Sequence, residues 1–357
     1  MRPENILALY DLGSAVTAVR PYGEGHINDT FLVETQAEGR YILQRLSTAA
    51  FAHPEKVMAN VTGVTAWLRE AVRRRGGDPM RETLQIIPLA DGRSHTLEED
   101  GCWRMYAFIQ GTKTFQQAES EEIFRQAGSA FGQFMRDLAD YPADTLHETI
   151  PDFHHTQKRF EAFEAAVQAN VAGRAARAAE EIAFVRQRGR RAGELIHAGL
   201  PLRVTHNDTK LNNVLMDETD GRALCVVDLD TVMPGLCAFD FGDAVRCGAN
   251  TAAEDEKDLS RVHFSMPMFR AYTEGYLRCA GDMLTPEEID SLPLGAWMIT
   301  YELGMRFLTD FLQGDPYFRT AYPEHNLVRA RNQFALLADV ERLEKDMLET
   351  VRQCVKE

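Results

Sequence analysis

Between His206 and Asp230 the chain spaces its acids and amides in a way that suits a hard cation. The run His206-Asn-Asp-Thr-Lys-Leu-Asn-Asn213 has the form His-x-Asp-x-x-x-x-Asn, and Asp228 follows in Val226-Val-Asp-Leu-Asp230. The polar stretch Asp217-Glu-Thr-Asp-Gly-Arg222 lies between them. A two-residue hairpin turn at Asp220-Gly221 would pair Thr219 with Arg222 and, counted back, Asn213 with Asp228. An amide oxygen and a carboxylate would then stand roughly 5 Å apart at Cβ, an oxygen-ligand pair for a divalent cation. Strand alternation puts Asp230 on the face of Asp228 while Leu229 turns away, so two carboxylates converge. Carboxylates ending the apolar run Ala223-Leu-Cys-Val-Val227 lose hydration, and a bound cation would compensate them. The alternative, in which the aspartates cap the next turn and Asn213 is a turn residue, stays open for either feature alone. Together they favour the cation.

The flanking elements must position these groups. Val16 to Arg20, Thr30 to Glu34 and Tyr41 to Leu46 read as strands of a small antiparallel sheet, with the turn-bearing Tyr22-Gly-Glu-Gly-His-Ile-Asn28 after the first. From Pro54 to Arg74 the residues Val57, Val61, Val64, Trp67 and Leu68 recur at helical spacing, and Gly76-Gly77 ends the run. Leu84 to Leu89 and Cys102 to Ile109 return to strand character. Trp67 and Trp103 sit in apolar patterns and read as core. Gln110-Gly111 reads as a hinge, beyond which the chain turns helical. Ser120 is placed to cap a helix whose stripe includes Phe124, Phe131 and Leu138. Helices are also expected over Thr156 to His197, Asp258 to Cys279, Pro286 to Leu312 and Leu327 to Val355. Thr285-Pro-Glu-Glu288 has the form of a capping box.

The His206–Asp230 pattern resembles the catalytic loop and metal-binding strand of the aminoglycoside phosphotransferase and choline kinase-like superfamily, relatives of the protein kinases. That resemblance implies an α+β, two-lobed protein-kinase-like fold, with a small antiparallel-sheet N-lobe over 1–109, a hinge at 110–113 and a larger, mainly helical C-lobe over 114–357. It implies Asp208 as the catalytic base, Lys210 as a cation near the transferred phosphate, His206 as a brace of the loop, and Asn213, Asp228 and Asp230 as metal ligands. Phe239-Asp240 matches the family's later aromatic-Asp pair. ATP and Mg2+ are the implied cofactors, with Gly23, Gly25, Asn28, Gln44 and Arg45 near the nucleotide and the backbone of Phe108, Ile109 and Gln110 meeting adenine. One departure stands out: Gln44 in Tyr41-Ile-Leu-Gln-Arg45 occupies the place of the third-strand lysine. Arg45 or Lys56 would have to supply the charge, although alternation turns Arg45 to the other face.

The strings Thr231-Val-Met-Pro-Gly235 and Glu302-Leu-Gly-Met-Arg-Phe-Leu-Thr-Asp310 resemble those of the N-acetylhexosamine 1-kinase subfamily. The resemblance implies phosphorylation of a sugar at C1, with Asp208, Arg306 and Tyr317 meeting the sugar. Glu302, Arg306 and Asp310 also fit a surface ion-pair ladder at four-residue spacing. Choline, homoserine, methylthioribose or an aminoglycoside as acceptor, or an inactive nucleotide-binding module, are the competing readings.

Bulk properties narrow the partners. The 39 Lys and Arg against 54 Asp and Glu leave a formal charge of -15 over 357 residues, which repels nucleic acid and anionic membrane. Cysteines 102, 225, 237, 247, 279 and 354 form no Cys-x-x-Cys pair, as expected in a reducing, cytoplasmic setting. No apolar run reaches the ~18 residues of a membrane span, and the first residues lack the pattern of a signal peptide. Oligomeric state is not legible.

Overall fold

A computed structural model describes residues 3–23 and 28–355, which divide into two compact units. The first gathers 1–114, 137–151 and 213–234, and the second 115–136, 152–212 and 235–357. Among the described residues no helix is long and apolar enough to cross a membrane.

In the first unit, strands β1 (Val16–Pro21), β2 (Asp29–Thr35), β3 (Arg40–Leu46), β4 (His95–Glu98) and β5 (Gly101–Ala107) form an antiparallel sheet in the order β1-β2-β3-β5-β4. Alternation sends Val33, Leu43, Trp103 and Met105 to one face, where they pack with Ile6 and Leu7. Trp103 stacks on Phe31 at 6.2 Å between ring centres, as its core reading required. The same alternation puts Gln44 opposite both Thr30 and Arg104. Helix α1 (Pro54–Arg74) begins on its proline and buries Val57, Val61, Val64 and Leu68. The expected strand over Leu84 to Leu89 is reduced to a single bridge, Ile86 to Tyr106, because Pro88 removes a ladder donor.

A second sheet in this unit joins β6 (Thr112–Lys113), β7 (Val214–Asp217) and β8 (Ala223–Val226). Its register corrects the sequence reading by one residue. The Asp217 carboxylate accepts the Thr219 N–H at 2.7 Å, so the turn closes between the Asp217 N–H and the Arg222 carbonyl at 2.8 Å rather than at Thr219. Leu224 then bulges out between the Met216–Ala223 and Leu215–Cys225 pairs. Asn213 consequently faces Val227, whose N–H donates to its carbonyl at 2.9 Å, and Asp228 stands one residue further on.

The second unit is mainly helical: α2 (Glu121–Asp137), α3 (Thr156–Ala169), α4 (Ala179–Arg188), α5 (Cys237–Gly248), α6 (Met266–Ala280), α7 (Pro286–Gln313) and α8 (His325–Cys354). Ser120 Oγ accepts the Ile123 N–H at 3.3 Å, as expected of a cap. The capping box at Thr285 is formed in both directions, with Glu288 accepting the Thr285 N–H at 2.8 Å. The helix expected from Thr156 to His197 is interrupted after Ala169, where Asn170 turns left-handed at φ 42°. Helices α5 and α7 touch backbone to backbone: a Cβ on Gly295 would overlap the Ala238 carbonyl, and one on Gly242 would overlap that of Gly295. Gly295→Ala should therefore cost about 1–3 kcal/mol by overpacking, read as a lowered denaturation midpoint. An unchanged midpoint would mean that the helices can part at no cost.

Candidate active site

In the second unit the loop 206–210 is hung by its backbone from α5. Asp240 accepts the N–H groups of His206 and Asn207, each at 2.7 Å, and its carbonyl accepts the Thr209 hydroxyl at 2.6 Å. One helical turn on, Asp243 accepts the Thr209 N–H at 3.0 Å and pairs with the buried Arg246 at 3.0 Å. Asn207 takes a left-handed conformation at φ 63°, which Asn tolerates better than most residues. His206 is fully buried with its ring edge-on to Phe131 and Phe134. Asp208 stays partly exposed, and Lys210 Nζ lies 2.7 Å from its Oδ1. Desolvation opposes the Lys210 ammonium, but the charges of Asp208 and Asp243 outweigh it and raise its pKa. Burial pushes Asp240 up to about 6 against the opposing pull of His206 and the two backbone donors.

A second support of this loop was not read from the sequence. His154 Nε2 lies 3.3 Å from the Asn207 carbonyl and Nδ1 lies 3.1 Å from Glu302, whose other oxygen accepts the Thr156 hydroxyl at 2.6 Å. Both contacts are met when both ring nitrogens carry protons. Burial works against that charge, yet the Glu302 hydrogen bond and the charges of Glu302 and Asp243 raise the His154 pKa overall. The resulting stabilisation is complete below the ordinary histidine pKa and is lost as pH rises through the raised value. In melting curves over a pH series, the advantage of the wild type over His154→Gln should shrink on the alkaline side. A constant gap would refute the assignment.

On α7, the residues Glu302, Arg306 and Asp310 do not form a surface ladder. Glu302 and Asp310 are 2% and 3% exposed. Asp310 accepts the N–H groups of Tyr317 and Phe318 at 2.8 and 2.9 Å. This brings Arg306 against Tyr317 and Phe318, with its guanidinium 5.7 and 5.5 Å from the two ring centres. Arg306 has no carboxylate hydrogen-bonded to it or ion-paired with it among the described residues. Tyr317 is 72% exposed. Arg159 on α3 is the neighbour, its pKa lowered by desolvation and then by the Arg306 charge.

In the first unit, Asn213 is buried, whereas Asp228 is exposed in a left-handed conformation at φ 60°, ψ 58°. The chain then makes a 3-10 turn over Leu229–Thr231, so strand alternation does not govern these acids. Asp230 is 3% exposed, with Oδ1 2.5 Å from Arg104 NH1 and Oδ2 accepting the Asn28 amide at 2.7 Å. Its charge is thus met within the unit by an arginine. The donor set left, one amide oxygen and one carboxylate, fits Mg2+, which keeps water and phosphate oxygens in its shell. No cluster of three or more His, Cys, Asp or Glu suited to a metal occurs among the described residues.

Of the expected nucleotide contacts, Gly25 lies outside the described residues. Gly23 has φ 79° with open space where a Cβ would be. Arg45 is turned to the opposite face from Gln44, paired with Asp29 and Asp100 and set over Trp103. The Phe108 N–H is used by the Arg40 carbonyl at 3.0 Å, and the Ile109 carbonyl by the Thr112 hydroxyl at 2.9 Å. The Gln110 carbonyl faces Arg81 NH2 at 3.5 Å.

A family model described as the phosphotransferase enzyme family matches residues 18–280. Among solved structures, an aminoglycoside phosphotransferase from Alicyclobacillus acidocaldarius superposes with a TM-score of 0.62 at 13% identity, covering 100% of this chain and 97% of its own. A microcompartment-associated aminopropanol kinase gives 0.61 at 17% identity, covering 96% and 97%. An amicoumacin kinase in complex with AMP-PNP, Ca2+ and Ami gives 0.60 at 13% identity, covering 96% and 92%. These likenesses establish a kinase-like fold.

Proposed function

Because the chain belongs to the phosphotransferase enzyme family, we propose that it transfers the terminal phosphoryl group of ATP to the anomeric hydroxyl of N-acetylglucosamine or N-acetylgalactosamine. The observation that carries the acceptor half is Arg306, set against Tyr317 and Phe318 with Arg159 as a second positive charge. Two guanidinium groups repel an ammonium and suit an uncharged acceptor rich in hydroxyl and acetamido oxygens. An aminopropanol or an aminoglycoside would bring the wrong sign of charge. The Thr231–Gly235 and Arg306–Asp310 strings support the sugar 1-kinase reading by resemblance.

In this reading Asp208 accepts the proton of the acceptor hydroxyl, and its carboxylate is an adequate base because an anomeric hydroxyl is more acidic than an ordinary alcohol. Lys210 places a positive charge beside it, toward the oxygens of the transferred group. The Asp240, Asp243 and His154 contacts keep the loop rigid so that no ordering cost falls on the reaction. Asn213 and Asp228 would hold Mg2+, which when bound neutralises charge on the phosphates.

An acceptor screen by ATP consumption tests the proposal. N-acetylglucosamine and N-acetylgalactosamine should lead, their products should lose the reducing end, and the 1-deoxy sugars should bind without turnover. Arg306→Ala should raise the sugar KM about tenfold with little change in the ATP KM. Choline or aminopropanol outperforming both sugars would overturn the acceptor and leave the transfer chemistry standing.

A further inference from the structure

The third strand offers neutral Gln44 where a phosphate-binding cation was expected, yet a fully buried cation sits directly across from it. Arg104 on β5 is 1% exposed and faces Gln44 in the ladder. Its Nε and NH2 donate to the Gln44 Oε1 at 3.1 and 2.9 Å, and its NH1 reaches Asp230. Gln44 in turn donates to the Thr30 hydroxyl at 3.2 Å, which fixes which end of its amide meets the arginine. The segment after Asp228 is pinned at further points. Asn28 donates to Asp230, and Asn60 on α1 donates to the Val232 carbonyl at 2.9 Å.

From this we infer that Arg104 is a positioning residue for the cation site: held by Gln44, it anchors Asp230 and so fixes the left-handed turn that presents Asp228. A lysine at position 44 would undo this arrangement, since it removes the acceptor of two guanidinium hydrogen bonds and sets a like charge against a buried arginine. The inference rests on the proposed role of Asp228 as a cation ligand, and its test is binding, which needs no acceptor.

Mn2+ as the probe ion, titrated by its paramagnetic signal in the presence of ATP, gives the metal affinity, and calorimetry of ATP without metal gives nucleotide binding alone. Gln44→Lys and Arg104→Lys should weaken the Mn2+ affinity at least tenfold, and Arg104→Lys should do so while metal-free ATP binding changes less than threefold. Gln44→Glu, which keeps an acceptor for Arg104, should lose much less than Gln44→Lys. Arg104→Lys keeps a positive charge beside Asp230 and serves if Gln44→Lys does not fold. The inference is overturned if the lysine variants melt earlier yet bind Mn2+ as the wild type does, or if Gln44→Glu and Gln44→Lys lose affinity equally. Failure of the wild type itself to bind Mn2+ with ATP would instead sink the cation site, and loss of every acceptor with Mn2+ binding intact would sink only the sugar reading.

Discussion

Replacing Asp208 by Asn is expected to lower turnover by roughly 10²–10⁴ while leaving the fold and ATP binding in place, the usual contribution of a positioned general base. The loop does not depend on that carboxylate for its shape. Its backbone hangs on Asp240 and Asp243, and His206 is locked between Phe131 and Phe134. What Asp208 gives up is its contact with Lys210, whose side chain is 47% exposed, so the stability cost should stay within about 1 kcal/mol. Single-turnover rates and melting curves on the same preparation separate the two effects. A variant that unfolds, or that turns over normally, would remove Asp208 from the reaction.

Asp228→Asn should abolish most activity, by about 10²-fold or more, because a neutral amide cannot offset a divalent charge as a carboxylate does. Asn is the informative substitution here. At φ 60° a residue with an ordinary Cβ pays about 1–2 kcal/mol, whereas Asn tolerates the left-handed region. Ala would therefore mix a backbone effect with the loss of charge. Initial rates over a Mg2+ series should show a much higher metal requirement, and near-normal rates at low Mg2+ would rule Asp228 out as a ligand.

Much of the frame was legible from local rules. β1 to β3 follow from strand-forming residues bounded by turn signals, α1 from its proline start and apolar spacing, and α7 from the Thr285 capping box. The errors came where one side chain decided the outcome. Asp220-Gly221 looked like a two-residue turn, but the Asp217 carboxylate captured the Thr219 N–H and a bulge at Leu224 absorbed the remainder, so the register of Asn213 slipped by one. Four-residue spacing along Glu302, Arg306 and Asp310 fits a surface ladder as well as a functional face, and only burial separates the two. Arg104 carried a signal that went unused: a lone charge within the apolar run of β5 requires a buried partner, though the sequence does not say which. His154 gave no local sign, since its partners Asn207 and Glu302 lie far along the chain.

The way the segment after α7 is held bears on how the acceptor preference could be rebuilt. Gly314 turns the chain left-handed at φ 93°, and Asp310 grips the main-chain N–H groups of Tyr317 and Phe318, itself steadied by Asn326 at 2.8 Å. Because the grip falls on main chain, the side chain at 317 is free to change while the path of the loop stays the same. On the proposed reading of Tyr317 as a sugar contact, the segment is a cassette: a saturation library at Tyr317, screened on unnatural sugars, would sample new acceptors on a constant scaffold. Randomising Asp310 in the same library would discard that advantage, since every member would lose its mooring together.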